Sequence, residues 1–164
     1  MAQKGLGKIR VDSSFRPFMI SIVGVISLIL TVACTAAETN ATQDDSRTIW
    51  DGVYTLKQAE RGQSLIDQHC SMCHGKNLFG SRAAPAIAGA EMLFVWDGRT
   101  LAELRETMRT TMPPGQIGTI TDQEFVDIIA TILQVSAYPA NDNIDLSSQE
   151  MELEKIVFKR EKPE

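Results

Sequence analysis

The residues with the clearest capacity for chemistry are five consecutive ones, Cys70-Ser-Met-Cys73-His74. Two thiols about one helical turn apart can reach the two vinyl groups on one edge of a porphyrin, and the adjoining imidazole then faces the iron. The spacing therefore predicts covalent attachment of one haem c through Cys70 and Cys73, with His74 as an axial ligand of the iron.

Two other chemistries use similar residues. A thioredoxin-like dithiol needs a strand before the motif and a helix after it, whereas a helical pattern precedes this motif and a Gly-rich stretch follows it. A zinc site built from His69, Cys70, Cys73 and His74 would take four ligands from six consecutive residues, which tetrahedral geometry disfavours. Haem attachment is therefore the favoured reading of the motif.

A second axial ligand must come from elsewhere in the chain. His69 lies in the helix that leads into the motif, on the wrong side to reach across the ring. Met108 falls on the apolar stripe of a predicted helix, where core packing explains it. Met112 follows that helix in a proline-fixed loop, 38 residues beyond His74, where irregular backbone can carry a thioether over the far face of the ring. We therefore predict Met112 as the distal ligand.

The elements that must position these ligands are helical. Thr55 with Gln58 and Thr121 with Glu124 have the spacing of capping boxes, and apolar residues recur at helical intervals after each. No alternating strand pattern of any length appears. The patterns predict helices over 55–69, 100–110 and 121–133, an irregular loop over 75–91, and a break at the prolines and glycines of 111–118.

Composition limits the remaining possibilities. The chain has 164 residues, 43% of them hydrophobic, which is enough for one modest core. The part from Cys34 onward carries a net charge of −8, so it cannot neutralise phosphates and nucleic acid is excluded as a partner. Three cysteines are too few for a disulfide scaffold.

The first 34 residues are typical of an export or anchoring segment. A leader with four basic residues precedes an uncharged run over 17–37, long enough for a signal peptide or a spanning helix. Small residues before Cys34 also resemble a bacterial lipoprotein signal, which would make Cys34 a lipid attachment site. All three interpretations place the rest of the chain in the bacterial periplasm, and both the spanning helix and the lipidated Cys34 would anchor it to the membrane.

Three further segments follow. Residues 35–48 are polar and aperiodic, which predicts a flexible linker. The main domain is predicted to span 49–140. The charged C-terminal tail, 141–164, is expected to pack partly back on the domain through residues such as Leu146, Leu153 and Phe158 and to fray from Lys159; a solvated end is favoured over a docking element.

From about Trp50 to Pro139 the sequence resembles single-haem class I cytochromes c, and most closely the small bacterial ones found with periplasmic quinoprotein and related dehydrogenases. The resemblance covers some 90 residues in order. It is carried by Trp50-Asp-Gly-Val-Tyr-Thr55, Gln58-Ala-Glu-Arg-Gly62, Cys70-Ser-Met-Cys-His-Gly75, Ala84-Pro-Ala-Ile-Ala-Gly89, Trp96-Asp-Gly-Arg-Thr-Leu101, Thr111-Met-Pro113 and Asp127-Ile-Ile-Ala-Thr-Ile-Leu133.

The resemblance implies an all-α fold of three to five helices wrapped around one covalent haem. It also implies that the backbone carbonyl of Pro85 accepts the Nδ1 proton of His74, and that Met112 is the distal ligand. Trp96 is expected either beside a haem propionate or at a core edge. The chain departs from the family pattern at Thr131, where an aromatic residue usually packs over a glycine such as Gly62.

An iron with His and Met ligands has no open position, and no second group of acid, base or nucleophile stands out in the chain. The expected function is therefore one-electron transfer and not enzyme catalysis. Electrons would pass from a periplasmic dehydrogenase or donor cytochrome to a terminal oxidase or another cytochrome. The alternatives are a haem-based ligand sensor, a fixed cytochrome subunit of a dehydrogenase complex, and a c-type peroxidase, which usually needs two haems.

Overall fold

The computed structural model describes residues 45–163. The predicted N-terminal segment, including Cys34, and most of the predicted linker lie outside these residues. Between Asp45 and Pro163 the chain forms six helices and two two-residue strands, which confirms the all-α class. In chain order these are β1 (Arg47–Thr48), α1 (Leu56–His69), α2 (Ser71–His74), α3 (Gly89–Trp96), α4 (Leu101–Thr111), α5 (Asp122–Val135), α6 (Glu150–Glu154) and β2 (Ile156–Val157).

Helices α1, α4 and α5 begin where the sequence predicts. Thr55, Thr100 and Thr121 each accept a hydrogen bond from the backbone N–H three residues later, which satisfies a donor at the helix start. The capping box is complete at Thr121. At Thr55 it is not, because the Gln58 side chain bonds instead to both backbone groups of Leu146. That exchange fastens the chain beyond α5 to the start of α1.

Helices α1 and α5 cross in close contact at Gly62. A Cβ built on Gly62 would lie closer than 3.0 Å to the Asp127 carbonyl and to the Thr131 hydroxyl. Thr131 is fully buried, and its hydroxyl donates to the Ala59 carbonyl at 2.7 Å. At position 131, where the family resemblance implies an aromatic ring, the small Thr131 side chain therefore joins α1 and α5 through a hydrogen bond.

Replacing Thr131 by Val is expected to lower the free energy of unfolding by about 1 kcal/mol, because the shape is kept while the bond to the Ala59 carbonyl is lost. Urea unfolding followed by far-ultraviolet circular dichroism measures the change. Thr131→Ser, which keeps the hydroxyl, is the control. If both Thr131→Ser and Thr131→Val are as stable as wild type, the hydrogen bond to Ala59 contributes nothing to the free energy of unfolding.

Helix α3 lies partly where the sequence predicts loop. The irregular segment ends at Ala88, and Gly89 through Trp96 is helical. On this helix Met92 is buried, whereas Phe94, on the opposite side, and Val95, on the flank, are exposed. Because apolar residues occur on both sides of the helix, the one-sided periodicity that marks an amphipathic helix is missing.

The C-terminal tail is part of the core, which confirms the expected packing of its apolar residues on the domain and shows that the favoured prediction of a solvated end is wrong. Leu146, Leu153, Ile156 and Phe158 are buried. β2 pairs in parallel with β1, with Arg47 opposite Ile156. The last two residues of the predicted linker are therefore also a strand.

Order in the tail continues past the point where fraying was expected. The Trp50 indole donates to the Lys159 carbonyl at 2.8 Å, and the Arg160 backbone N–H donates to Asp97 at 2.9 Å. Of the apolar tail residues, Ile144 and Met151 are exposed. Among the helices of residues 45–163, none is both long and apolar enough to cross a membrane.

Asp145 connects the tail to α1 by accepting hydrogen bonds from the Thr55 hydroxyl and the Arg61 guanidinium. The distance from the guanidinium nitrogen of Arg61 to the Asp145 carboxylate oxygen is 2.7 Å. These two contacts hold the pKa of Asp145 below its ordinary value of 3.8. A carboxylate with a depressed pKa stabilises the fold above its unfolded pKa, and the contribution is lost as the pH falls through the folded value.

Asp145→Asn is therefore expected to cost about 0.5 kcal/mol near neutral pH, in line with a largely exposed ion pair. The difference from wild type should shrink as the pH falls below 3.8. Urea unfolding at a series of pH values measures it, with the exposed Asp142→Asn as control. A difference that persists unchanged at low pH would mean that the Asp145 charge is irrelevant.

Candidate functional site

The motif Cys70–His74 occupies the corner between α1 and α2. Cys70 caps the C-terminus of α1, with its N–H donating to the Ile66 carbonyl, and α2 is the single turn from Ser71 to His74. Both cysteines have free thiols; Cys70 is half-buried and Cys73 is exposed. Burial raises the pKa of the Cys70 thiol to about 11, so this thiol is protonated at neutral pH.

His74 is buried, with 7% of its surface exposed, and its orientation is fixed by one hydrogen bond. Nδ1 lies 2.8 Å from the Pro85 carbonyl oxygen. A carbonyl only accepts, so Nδ1 carries a proton, and the neutral tautomer compatible with this bond has its lone pair on Nε2, across the ring. An imidazole held in this orientation is a prepared metal ligand.

The loop over 75–88 holds Pro85 in position by folding back on the motif. The Gly80 N–H donates to the His74 carbonyl at 3.0 Å, and the Ser81 hydroxyl donates to the Cys73 carbonyl. Gly80 has φ +86°, and a Cβ there would lie 2.8 Å from the backbone nitrogen of Ala86. A side chain at Gly80 would therefore displace the segment that carries Pro85.

A cavity of about 340 Å³ opens beside this motif. Its wall combines the two thiols and the imidazole with mostly apolar side chains from four helices, including two thioethers at the end of α4. This donor set and the apolar lining fit a haem attached through two cysteines. The principal contributors are Cys70, Cys73, His74, Ile87, Met92, Trp96, Leu104, Met108, Met112, Phe125, Ile128 and Ile132.

Met108 and Met112 both line the cavity. Both are half-buried, and the Met112 backbone N–H donates to the Met108 carbonyl at 2.8 Å. Residues four apart on a helix share one face. Met108, predicted to be a core residue, and Met112, predicted to be the iron ligand, therefore lie on the same wall of the cavity. His69, set aside on sequence grounds, is also in the lining.

Trp96 ends α3 and lines the same cavity. Its ring centroid is 6.1 Å from that of Phe158, and the Arg99 guanidinium lies 4.1 Å from its ring centroid. Trp96 therefore lies at a core edge and on the cavity wall together, with a cation against its indole. The two positions expected for Trp96 do not exclude each other.

Residues 57–130 match a family described as cytochrome C oxidase, cbb3-type, subunit III. The match supports a c-type cytochrome family. The matched residues include all six predicted site residues, Cys70, Cys73, His74, Pro85, Trp96 and Met112. A cytochrome c domain implies a haem c cofactor and electron transfer in place of enzyme catalysis. No curated protein and no solved structure matches the chain.

Proposed function

We propose that this protein is a c-type cytochrome that acts as a one-electron carrier, with a single haem c bound through thioether links to Cys70 and Cys73 and ligated by His74 Nε2 and Met112 Sδ. The observation that carries the proposal is the His74 imidazole, buried, held by Pro85 and lining an apolar cavity that Met112 also lines.

When bound, the haem supplies a couple of ferric and ferrous iron that accepts or gives one electron. The chain sets its potential in two ways. A Met112 thioether favours ferrous iron, and the apolar side chains around the cavity disfavour the extra charge of the ferric form. With His74 and Met112 as ligands, substrates have no open position on the iron, which leaves electron transfer as the reaction.

We place this carrier in the bacterial periplasm, attached to the membrane through its N-terminal segment or a lipidated Cys34. Its donor would be a periplasmic dehydrogenase, such as a quinoprotein, or another cytochrome, and its acceptor a terminal oxidase or cytochrome. The description of the matched family names an oxidase subunit, which supports an oxidase as acceptor. It also favours a second candidate, a fixed cytochrome subunit of an oxidoreductase complex.

The visible spectrum of the chain produced with a haem-attachment system tests the proposal. We expect haem to remain bound after denaturation and the ferric form to show the charge-transfer band of a methionine–iron bond. Attached haem without that band, together with carbon monoxide binding to the reduced protein, would favour the ligand-sensor alternative. Loss of haem on denaturation would contradict covalent attachment.

The net charge of −8 after Cys34 predicts that redox partners dock through basic surfaces. Electron exchange with a small, strongly basic cytochrome should therefore slow about tenfold as ionic strength rises well above ~0.1 M, where the screening length falls below ~10 Å. Stopped-flow absorbance measures the rate, and an uncharged ruthenium complex as oxidant is the control. A rate independent of salt would contradict electrostatic docking.

A further inference from the structure

Helix α3 has a second apolar side that the haem cavity does not use. Met92 and Trp96, four residues apart, line the cavity. Phe94 and Val95 are 73% and 64% exposed, and Phe94 is two residues, or about 200°, from each of the cavity residues. A helix that is apolar on opposite sides normally has both sides covered, and here one of them faces solvent.

The exposed side extends onto the neighbouring loop. Phe79 is 54% exposed, and its ring lies against Gly89 at the start of α3, where a Cβ would be 3.0 Å from the ring. Ala90, one turn before Phe94, is also exposed. We call Phe79, Ala90, Phe94 and Val95 the α3 face. Contiguous exposed apolar residues of this kind mark an interaction surface.

The charges near the α3 face differ in sign from those of the rest of the chain. Residues 71–90 contain Lys76 and Arg82 and no acidic residue, although the chain after Cys34 carries −8. Both cations are exposed, and within residues 45–163 neither is in an ion pair. Glu91, the single acidic residue of α3, is exposed one turn before Phe94 and Val95 and so lies on the same face, which leaves Lys76, Arg82 and Glu91 with a net positive charge. Aromatic side chains flanked by free cations suit an anionic lipid surface.

The bilayer is also within reach. Only nine residues, 38–46, separate the uncharged N-terminal run from β1. A fully extended chain of that length spans about 30 Å, which is close to the diameter of a small domain. An anchored chain therefore holds its folded part near the membrane surface at all times, at a high effective concentration.

We propose that the α3 face rests on the anionic headgroup region of the bilayer, with Phe79 and Phe94 entering the interface and Lys76 and Arg82 pairing with lipid phosphates. This inference rests on the membrane attachment proposed above. In that orientation α3 separates the haem cavity from the bilayer. The exposed cavity residues Met72 and Cys73 belong to another element, α2, and stay free for a redox partner.

Hydrogen–deuterium exchange of the haem-loaded full chain in lipid nanodiscs tests the orientation. The discs contain phosphatidylcholine alone or with about 30% phosphatidylglycerol. We expect severalfold slower exchange over 75–96 in the anionic discs, and no lipid-dependent change in α5. Combining Lys76→Glu with Arg82→Glu should weaken the contact by roughly fivefold per cation removed and restore the exchange seen in neutral discs.

Matched variants separate the face from general surface effects. Phe94→Ser should abolish the added protection, whereas Ile144→Ser, with a similarly exposed apolar residue outside the α3 face, should leave it intact. Equal protection in both lipids would overturn the inference. Protection in detergent that grows with protein concentration would overturn it in favour of a second copy of the chain on this face.

The same experiment distinguishes the two proposals. A chain that does not enter the discs would overturn the membrane attachment, and this inference with it. A chain that enters the discs but shows no added protection over 75–96 would overturn the inference alone. The visible spectrum of the same sample reports independently on haem ligation, so neither result can be confused with failure of the electron-carrier proposal.

Discussion

Replacing Met112 by Ala is expected to leave the haem covalently attached and to lower its reduction potential sharply. The thioether favours ferrous iron, and its loss leaves the distal position open to water or another weak ligand. Axial ligation moves haem potentials over about 0.8 V, and we expect the shift to be a substantial part of that range. Potentiometric titration with optical detection measures it, and the charge-transfer band of the ferric form should disappear in the same sample.

Met108→Leu is the matched control for Met112→Ala. Both methionines are half-buried, line the same cavity and lie on the last turn of α4 and its cap. Leu conserves the volume of Met, so the cavity wall should remain filled. We expect the potential and the charge-transfer band of Met108→Leu to be close to those of wild type. If Met108→Leu loses the band and Met112→Ala keeps it, Met108 is the ligand.

The parts of the fold that sequence could predict are those that depend on local chemistry. The capping box from Thr121 to Glu124, followed by apolar residues at helical spacing, is sufficient to define where α5 begins, and the apolar spacing alone predicts α4. The same holds for α1, although Gln58 there bonds to Leu146 instead of completing its capping box. The partner of Gln58 is 88 residues away, and no local pattern points to it.

The parts that sequence could not predict depend on long-range contacts or on an unusual surface. The pairing of β1 with β2 joins residues more than a hundred positions apart, and each strand has only two residues, too few for a periodic pattern. Phe158 was expected to pack on the domain, but the charged residues around it favoured fraying from Lys159, where the structure is still ordered. Helix α3 was missed because its outward side is apolar, and the proposed membrane contact would explain that composition.

For the candidate site, the sequence identifies the motif and its neighbours but not the shape around them. The hydrogen bond between His74 and Pro85, implied by the family resemblance, is present at 2.8 Å. The assignment of Met112 over Met108 stays a prediction, because the end of α4 brings both thioethers to the cavity. The sequence pattern distinguishes Met112, in a loop, from Met108, in a helix. It does not predict how close to the cavity helix α4 ends.

Gly62→Ala is expected to be the most destabilising single-methyl change in the fold, lowering the free energy of unfolding by at least ~3 kcal/mol. The added Cβ would meet the backbone carbonyl of Asp127, which cannot move without α5, and also the Thr131 hydroxyl. Ala would otherwise favour the helix by up to about 1 kcal/mol, so the clash must exceed that gain. Urea unfolding of the haem-loaded protein, followed by circular dichroism, measures the net effect.

The exposed Ser64→Ala, two residues further along α1, is the control for Gly62→Ala, because it improves helix propensity with no new contact. Its stability should stay within about 0.5 kcal/mol of wild type. In Gly62→Ala the separation of α1 from α5 should also break the bond from Thr131 to the Ala59 carbonyl. Adding Thr131→Val to Gly62→Ala should then cost less than Thr131→Val costs alone. Full additivity of the two changes would mean that the helices accommodate the methyl group without separating.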